Sequence, residues 1–185
     1  MKLFKFNYNK YIRKILFIRK NYLKKIFVPT LTQVVLNTSS KSVVNNKRNI
    51  LPIKVAMNLI TGERPINTYA KNSIANFNLK ENMLLGCKVN LQQEIMLNFL
   101  YKLKTIIITN LKDIKTFLNK SLDGRGNYNF GIPDYTIFPE INFLFELFDT
   151  TIGMNTIVVN STNIDLDGKL LFSAYELPLN NMMYK

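Results

Sequence analysis

The segment from Asp123 to Ile141, DGRGNYNFGIPDYTIFPEI, constrains this chain more than any other. It packs three glycines, two prolines, four aromatics and one arginine into nineteen residues. Glycine admits positive φ and close backbone approach, whereas proline fixes φ and removes a donor, so a helix cannot run through it. The composition predicts a shaped turn followed by a short extended run. Arg125 stands between two glycines, where nothing bulky keeps it from a phosphate or a base. Taken alone, the composition makes this only a tight loop feeding a strand.

Charge narrows the partners. The chain has 185 residues and a net charge of +13, yet no Asp or Glu precedes Glu63, while thirteen Lys and Arg lie in residues 1–62. One-ended charge of this kind suggests a polyanion, either nucleic acid or an anionic membrane surface, against the plainer alternative of a solvated basic arm. Histidine is absent and Cys87 is the single cysteine. Intrachain disulfides, the usual Cys/His zinc sites and Ser-His or Cys-His nucleophiles are thereby excluded. No cofactor and no metal are expected. One enzymatic alternative is nuclease-like, with Asp123, Asp134 and Glu140 around a divalent ion. No run approaches the roughly eighteen apolar residues of a membrane span. The abundance of Asn, Lys, Ile, Phe and Tyr without Trp fits AT-biased codons, as in an organelle genome.

With 47% apolar residues the chain suits one domain, 1–185, comprising a basic amphipathic N-terminal helix over 1–27 and a body over 28–185. In residues 3–27, Ile12, Ile15, Leu16, Leu23 and Ile26 fall at helical spacing, with Lys10, Arg13, Lys14, Lys20, Lys24 and Lys25 largely between them. A cleaved transit peptide, a membrane-surface helix and a helix turning lysines toward RNA phosphates all fit this pattern. Val28-Pro29 should end it. LTQVVL at 31–36 reads as a strand and the polar stretch after it as a loop. Ile53, Met57 and Ile60 define a helix over 50–60, closed by Gly62. The pieces PINTYA, SIANFNLK and LLGCKVNLQ read as extended, with Glu81-Asn82 turning between the last two. Cys87 reads as a small core residue. A helix over 94–109, a strand over 155–160 and a helix over 165–177, with Leu166, Leu170, Leu171 and Ala174 on one side, complete the pattern. The fold class expected is α+β: a mainly antiparallel sheet with helices packed on one face. In the extended region Asn76, Asn78, Asn90, Lys80 and Lys88 interleave with Phe77, and amides, cations and a ring are what an RNA-binding face needs.

In order, VP at 28–29, VVLN at 34–37, ITGERP at 60–65, SIANF at 73–77, LGCKVNL at 85–91, SLDGRGNYNFGIPDYTIFPEI at 121–141 and IGMNTIVV at 152–159 resemble one family. That family is the large-subunit ribosomal protein L-five, which binds 5S ribosomal RNA. The resemblance spans essentially the whole chain, and its DGRGNY…IFPEI block is highly specific. It implies a non-enzymatic constituent of the large ribosomal subunit, lying in the central protuberance on 5S rRNA beside the large-subunit rRNA. P-site tRNA and a small-subunit head protein are implied neighbours. With the AT-biased composition, it points to a mitochondrial ribosome. The family's RNA contacts map onto Asn37, Glu63, Phe77 and Asn90, where Glu63 replaces the usual glutamine and Asn90 the usual threonine. Lys71, Lys80 and Lys88 would add to that RNA-binding set. The family's TKARKS reads TYAKNS at 68–73, and the glycine before its phenylalanine is Asn76, which can occupy the left-handed region. Arg125, Asn127 and Tyr128 would form an intersubunit or RNA contact loop. Lys10, Arg13, Lys14, Lys20 and Lys24 would contact phosphates from the N-terminal helix and make up the two cations lost at 68–73. A peripheral membrane protein anchored by that helix is the alternative.

Overall fold

The computed structural model describes residues 11–20, 22, 28–107, 122–142, 152–175 and 177. Five strands, β1 Leu31–Ser39, β2 Ile66–Tyr69, β3 Leu84–Gln92, β4 Tyr128–Ile132 and β5 Met154–Asn160, form one sheet in the order β2-β3-β1-β5-β4. Six α-helices accompany it among the described residues: α1 Arg13–Lys20, α2 Lys41–Asn45, α3 Ile50–Thr61, α4 Gln93–Lys102, α5 Pro139–Asn142 and α6 Asp165–Ala174. The sheet is antiparallel, as expected for this α+β chain; Ile66, Asn67 and Thr68 pair with Lys88, Cys87 and Gly86.

Chain contacts gather the described residues into two units, one within 35–91 and 131–156, the other within 1–34, 92–130 and 157–185. In the first, α3 turns Ile53, Ala56, Met57 and Ile60 inward, and Gly62 closes it at φ 75° with its amide donating to Asn58 O. This is the left-handed terminus that glycine adopts at least cost. Leu36 and Thr38 of β1 and Cys87, Val89 and Leu91 of β3 are buried with them. Cys87 Sγ lies 3.2 Å from Met57 Sδ, and burial pushes the thiol up to about 11 against the opposing charge of Lys54. The thiol is a core group, as read from the sequence. Gly86 sits so close to β1 that a Cβ there would strike the Thr38 carbonyl. The hydroxyls of Thr38 and Tyr135 share a buried hydrogen bond, and burial raises the Tyr135 phenol well above its ordinary value.

In the second unit Leu16, Met96, Phe99, Leu100, Leu103, Tyr128, Phe130, Leu171 and Phe172 are buried. The Tyr128 ring is 5.3 Å from Phe130 and 5.5 Å from Phe172, both tilted contacts favourable for aromatic pairs. α4 continues as a wider turn through Leu103–Ile107.

Several expectations need correction. Of the helix expected over 1–27, Arg13–Lys20 is helical and Tyr22 is not, while residues 1–10, 21 and 23–27 lie outside the described residues. β1 runs on to Ser39, and the stretch read as a loop contains α2, whose Ser40 cap accepts from the Ser42 amide at 3.3 Å. Residues 73–80 are not a strand. β3 takes β2 as its partner, and a short 3-10 turn, Ala75–Phe77, lies in the connection. On α6 the buried residues are Asp167, Gly168, Leu171 and Phe172, while Leu166 is exposed. Asp167 goes inward because Lys20 meets it, and Gly168 because the Gly126 backbone leaves no room for a side chain.

Candidate nucleic-acid interface

Burial alternates along β3, with Cys87, Val89 and Leu91 inside and Lys88, Asn90 and Gln92 exposed. β1 does likewise, with Val34, Leu36 and Thr38 inside and Val35 and Asn37 half-buried. The two strands are neighbours and successive side chains point to opposite faces, so Asn37, Lys88 and Asn90 share the side away from the α3 core. Asn37 Oδ1 is itself buried and has no hydrogen-bond partner.

The connection from β2 to β3 carries the ring. Ala70 N donates to Met83 O at 2.8 Å and Asn82 N to Ala70 O at 3.0 Å, closing the neck of the loop. Farther out, Ile74 and Leu79 form an antiparallel bridge, and the Glu81 amide donates to Ser73 Oγ at 2.9 Å. Asn78 and Asn82 take positive φ of 53° and 61°, a region asparagine tolerates better than most residues. Asn76 is not among the positive-φ residues, so the left-handed step falls two residues later than the family pattern suggested. The result is a tied loop with Phe77 68% exposed, Ile74 44% exposed, and Lys71 and Lys80 exposed on its two sides. Phe77 therefore faces out, as a stacking residue must. Sequence reading passed over Ile74 and Tyr69, which is 54% exposed on β2; outward apolar residues beside a turn were the available signal. Glu63 follows Gly62 and is half-buried, its amide donating to Thr61 Oγ1 at 3.1 Å.

The glycine-rich segment is built differently. Asp123 accepts from the Arg125 amide at 2.8 Å, the Asn127 amide at 3.1 Å and Asn127 Nδ2 at 2.7 Å. Slight burial works against the Asp123 charge, but the Asn127 side chain and the Arg125 and Asn127 amides outweigh it and hold the carboxyl below its ordinary value. Gly126 N donates to Asp165 Oδ1 at 2.6 Å, and Asn160 donates its side-chain amide to Gly126 O. Gly124 and Gly126 have φ of 80° and 81°. Arg125 is turned to solvent, as expected. Asn127 is occupied by Asp123 and by the Asn160 amide, 3.3 Å from its Oδ1. Tyr128 is fully buried, so its assignment to a contact surface is corrected: the ring is core. Asp123 and Asp134, which accepts from the Thr136 amide at 3.0 Å, each serve their own turn, and no described cluster of acidic or cysteine groups could hold a metal.

Of the N-terminal cations, Lys10 and Lys24 lie outside the described residues. Lys14 is exposed and Arg13 half-buried on α1. Lys20 is not available to phosphate, because its Nζ is 2.8 Å from Asp167 Oδ1, whose side chain is 7% exposed. Tyr22 lies by the same carboxylate, and burial together with Asp167 pushes its phenol up to about 12. No helix among the described residues is long and apolar enough to cross a membrane.

Comparison with known proteins agrees with this architecture. Residues 25–80 match the family model described as ribosomal protein L5, and residues 84–179 match the model for the C-terminus of the same ribosomal family. The large ribosomal subunit protein uL5 of Lactobacillus acidophilus is 36% identical over 158 residues, covering 85% of this chain and 87% of the relative. That of Streptococcus suis is 38% identical with the same coverage. The chain belongs to the ribosomal protein L5 family, as a non-enzymatic, rRNA-binding constituent of the large ribosomal subunit.

Proposed function

We propose that this chain binds 5S rRNA in the central protuberance of a mitochondrial large ribosomal subunit. Asn37, Lys88 and Asn90 are the sheet part of that contact, and Phe77 with Lys71 and Lys80 the loop part. The observation that carries the reading is the β2–β3 loop, which holds a 68% exposed phenylalanine between two exposed lysines on a frame tied by its own backbone. A ring so placed stacks on an unpaired base while the cations meet phosphates. Glu63 lies three residues before β2, and its carboxylate suits a ribose hydroxyl or base amine rather than a phosphate. The loop end also offers itself to the elbow of P-site tRNA, and exposed Arg125 to a small-subunit head protein. The basic, AT-biased composition supports a mitochondrial setting.

The test is the affinity of the full chain for a transcribed bacterial 5S rRNA, measured across salt. Phe77→Ala should weaken binding about fivefold to a hundredfold, since a stacked base is worth roughly 1–3 kcal/mol, and Asn37→Ala by about tenfold, the scale of a lost hydrogen bond. Unchanged affinity in both variants would place the RNA on another surface. Recovery of a tagged chain in mitochondrial large subunits, crosslinked to a small RNA, tests the setting; recovery only in another compartment's ribosomes rejects it.

A further inference from the structure

The thirteen cations of residues 1–62 need an outlet, and α1 supplies less of it than the sequence suggested, because Lys20 is engaged by Asp167. The unit that holds Asn37 has cations of its own. Directly after β1, residues 41–49 (KSVVNNKRN) place Lys41, Lys47 and Arg48 on the surface, with Asn45 and Asn46 exposed beside them. This is not a loose basic stretch. Asn46 N donates to Ser42 O at 2.9 Å, Asn49 Nδ2 donates to the same carbonyl at 3.2 Å, and Arg48 N donates to Asn46 Oδ1 at 3.1 Å. Val43 is fully buried and pins the turn from below. The Ser40 amide donates to Leu85 O at 3.3 Å, so the turn begins from the β1–β3 pairing that carries Asn37, Lys88 and Asn90. Asn and Ser side chains thus fix the backbone, and the three long cationic chains are left pointing to water. Nothing acidic lies within the turn, and the first acid in the chain is Glu63.

We infer that the 41–49 turn is a second RNA contact, gripping the sugar-phosphate backbone through Lys41, Lys47 and Arg48, adjacent in the chain to the Asn37 face. The inference rests on the RNA-binding reading of that face. A fixed turn with three cations matches phosphates, which position an RNA without reading its sequence. Arg48 provides the fork that suits a phosphate, while Lys41 and Lys47 act as point charges. The exposed amides of Asn45 and Asn46 can donate to ribose and phosphate oxygens.

Counterion release makes the test quantitative. The full chain and its Lys41→Gln/Lys47→Gln/Arg48→Gln variant are titrated with transcribed bacterial 5S rRNA and with an unrelated RNA of equal length, each at several KCl concentrations. Every phosphate contact adds about 0.7–0.9 to the slope of log affinity against log salt. The triple variant should therefore lose about 2 to 3 from that slope, and on the order of a hundredfold in affinity at 0.1 M salt. Asn37→Ala should weaken binding with its slope unchanged. Because the three positions are exposed, the variant's melting temperature should equal the parent's. A triple variant that melts like the parent and keeps the parental slope overturns the proposal. So does a variant with parental RNA binding that is lost from assembled subunits, since the turn would then face an acidic protein. If the slope falls equally on both RNAs and the parent has no preference for 5S rRNA, the phosphate grip stands and the 5S assignment fails.

Discussion

The 123–128 loop and the 70–83 loop both look, in sequence, like shaped turns offering a functional side chain, yet they are built in opposite ways. In the first, polar side chains are spent on the loop itself: Asp123, Asn160 and Asp165 bond loop backbone, Asn127 bonds the Asp123 carboxylate and the Asn160 amide, and Tyr128 fills the core. In the second, backbone pairs such as Ala70–Met83 close the neck, and Lys71, Phe77 and Lys80 remain outside. The first loop permits few substitutions because nearly every residue is committed to its own geometry. The second tolerates many at its tip, because the frame does not depend on what projects from it. A segment can therefore identify a fold strongly while only one charged side chain of its loop, Arg125, is left to meet a partner.

The largest expected effect breaks the first loop. Gly126 has φ 81°, and a Cβ there would sit 2.9 Å from the Ile164 carbonyl oxygen. Gly126→Ala adds a left-handed penalty of about 1–2 kcal/mol to a clash of similar size. A total of about 3 kcal/mol corresponds to a melting temperature lower by roughly 6–12 °C in a chain of this length. A variant melting within about 2 °C of the parent would show that the loop is not held as described. Next comes the mirror-image change. Phe77→Ala should leave the melting temperature unmoved, because the ring is 68% exposed, and weaken RNA binding by about 1–3 kcal/mol. A fall in stability with RNA affinity intact would erase the contrast between the loops.

The Lys20–Asp167 pair sharpens the comparison within the second unit. Removing Lys20 leaves the buried Asp167 carboxylate uncompensated, and with Lys20 itself 35% exposed we expect about 1–2 kcal/mol for Lys20→Met. Adding Asp167→Leu should recover part of that loss. The salt slope for RNA should match the parent's; a slope lower by about 1 would mean that Lys20 leaves Asp167 for a phosphate.

What the sequence disclosed follows from which forces act locally. α3 was legible because Ile53, Met57 and Ile60 repeat at helical spacing and Gly62 closes the end. The strands at 31–36, 66–69 and 84–92 announced themselves through β-branched and alternating residues, but alternation does not say which strands pair. SIANFNLK has strand-like composition and became a turn because β3 pairs with β2, leaving 70–83 to close on itself through Asn78 and Asn82. α6 was placed correctly and rotated wrongly. Leu166 was assigned inward on hydrophobicity, while a charge pair and a glycine–backbone contact, both distant in sequence, turned Asp167 and Gly168 in instead. Among the site residues, Phe77 and Arg125 were legible because neighbouring turn residues leave them nowhere to hide. Tyr128 was misplaced because an aromatic beside a loop has no local mark of burial; Phe130 and Phe172 decide it.

The smallest effect separates the geometry of the glycine loop from its charge. Asp123 is exposed, so only a discounted contribution is expected from its bonds to the Arg125 amide and to Asn127, about 1 kcal/mol in Asp123→Asn. Its carboxyl is held below the ordinary value in the folded chain. A depressed folded pKa contributes stability that is present above the unfolded value, near 4, and is lost as pH falls through the folded one. Parent and variant should thus differ at pH 7 and converge as pH falls below about 4, in chemical denaturation followed across pH. A difference that persists once pH is below the folded value would assign the Asp123 contribution to shape, since the neutral acid would then serve the Arg125 and Asn127 amides as well as the carboxylate does. It would also bring the two loops closer in kind: both would rest on hydrogen-bond geometry, and the Asp123 charge would be dispensable.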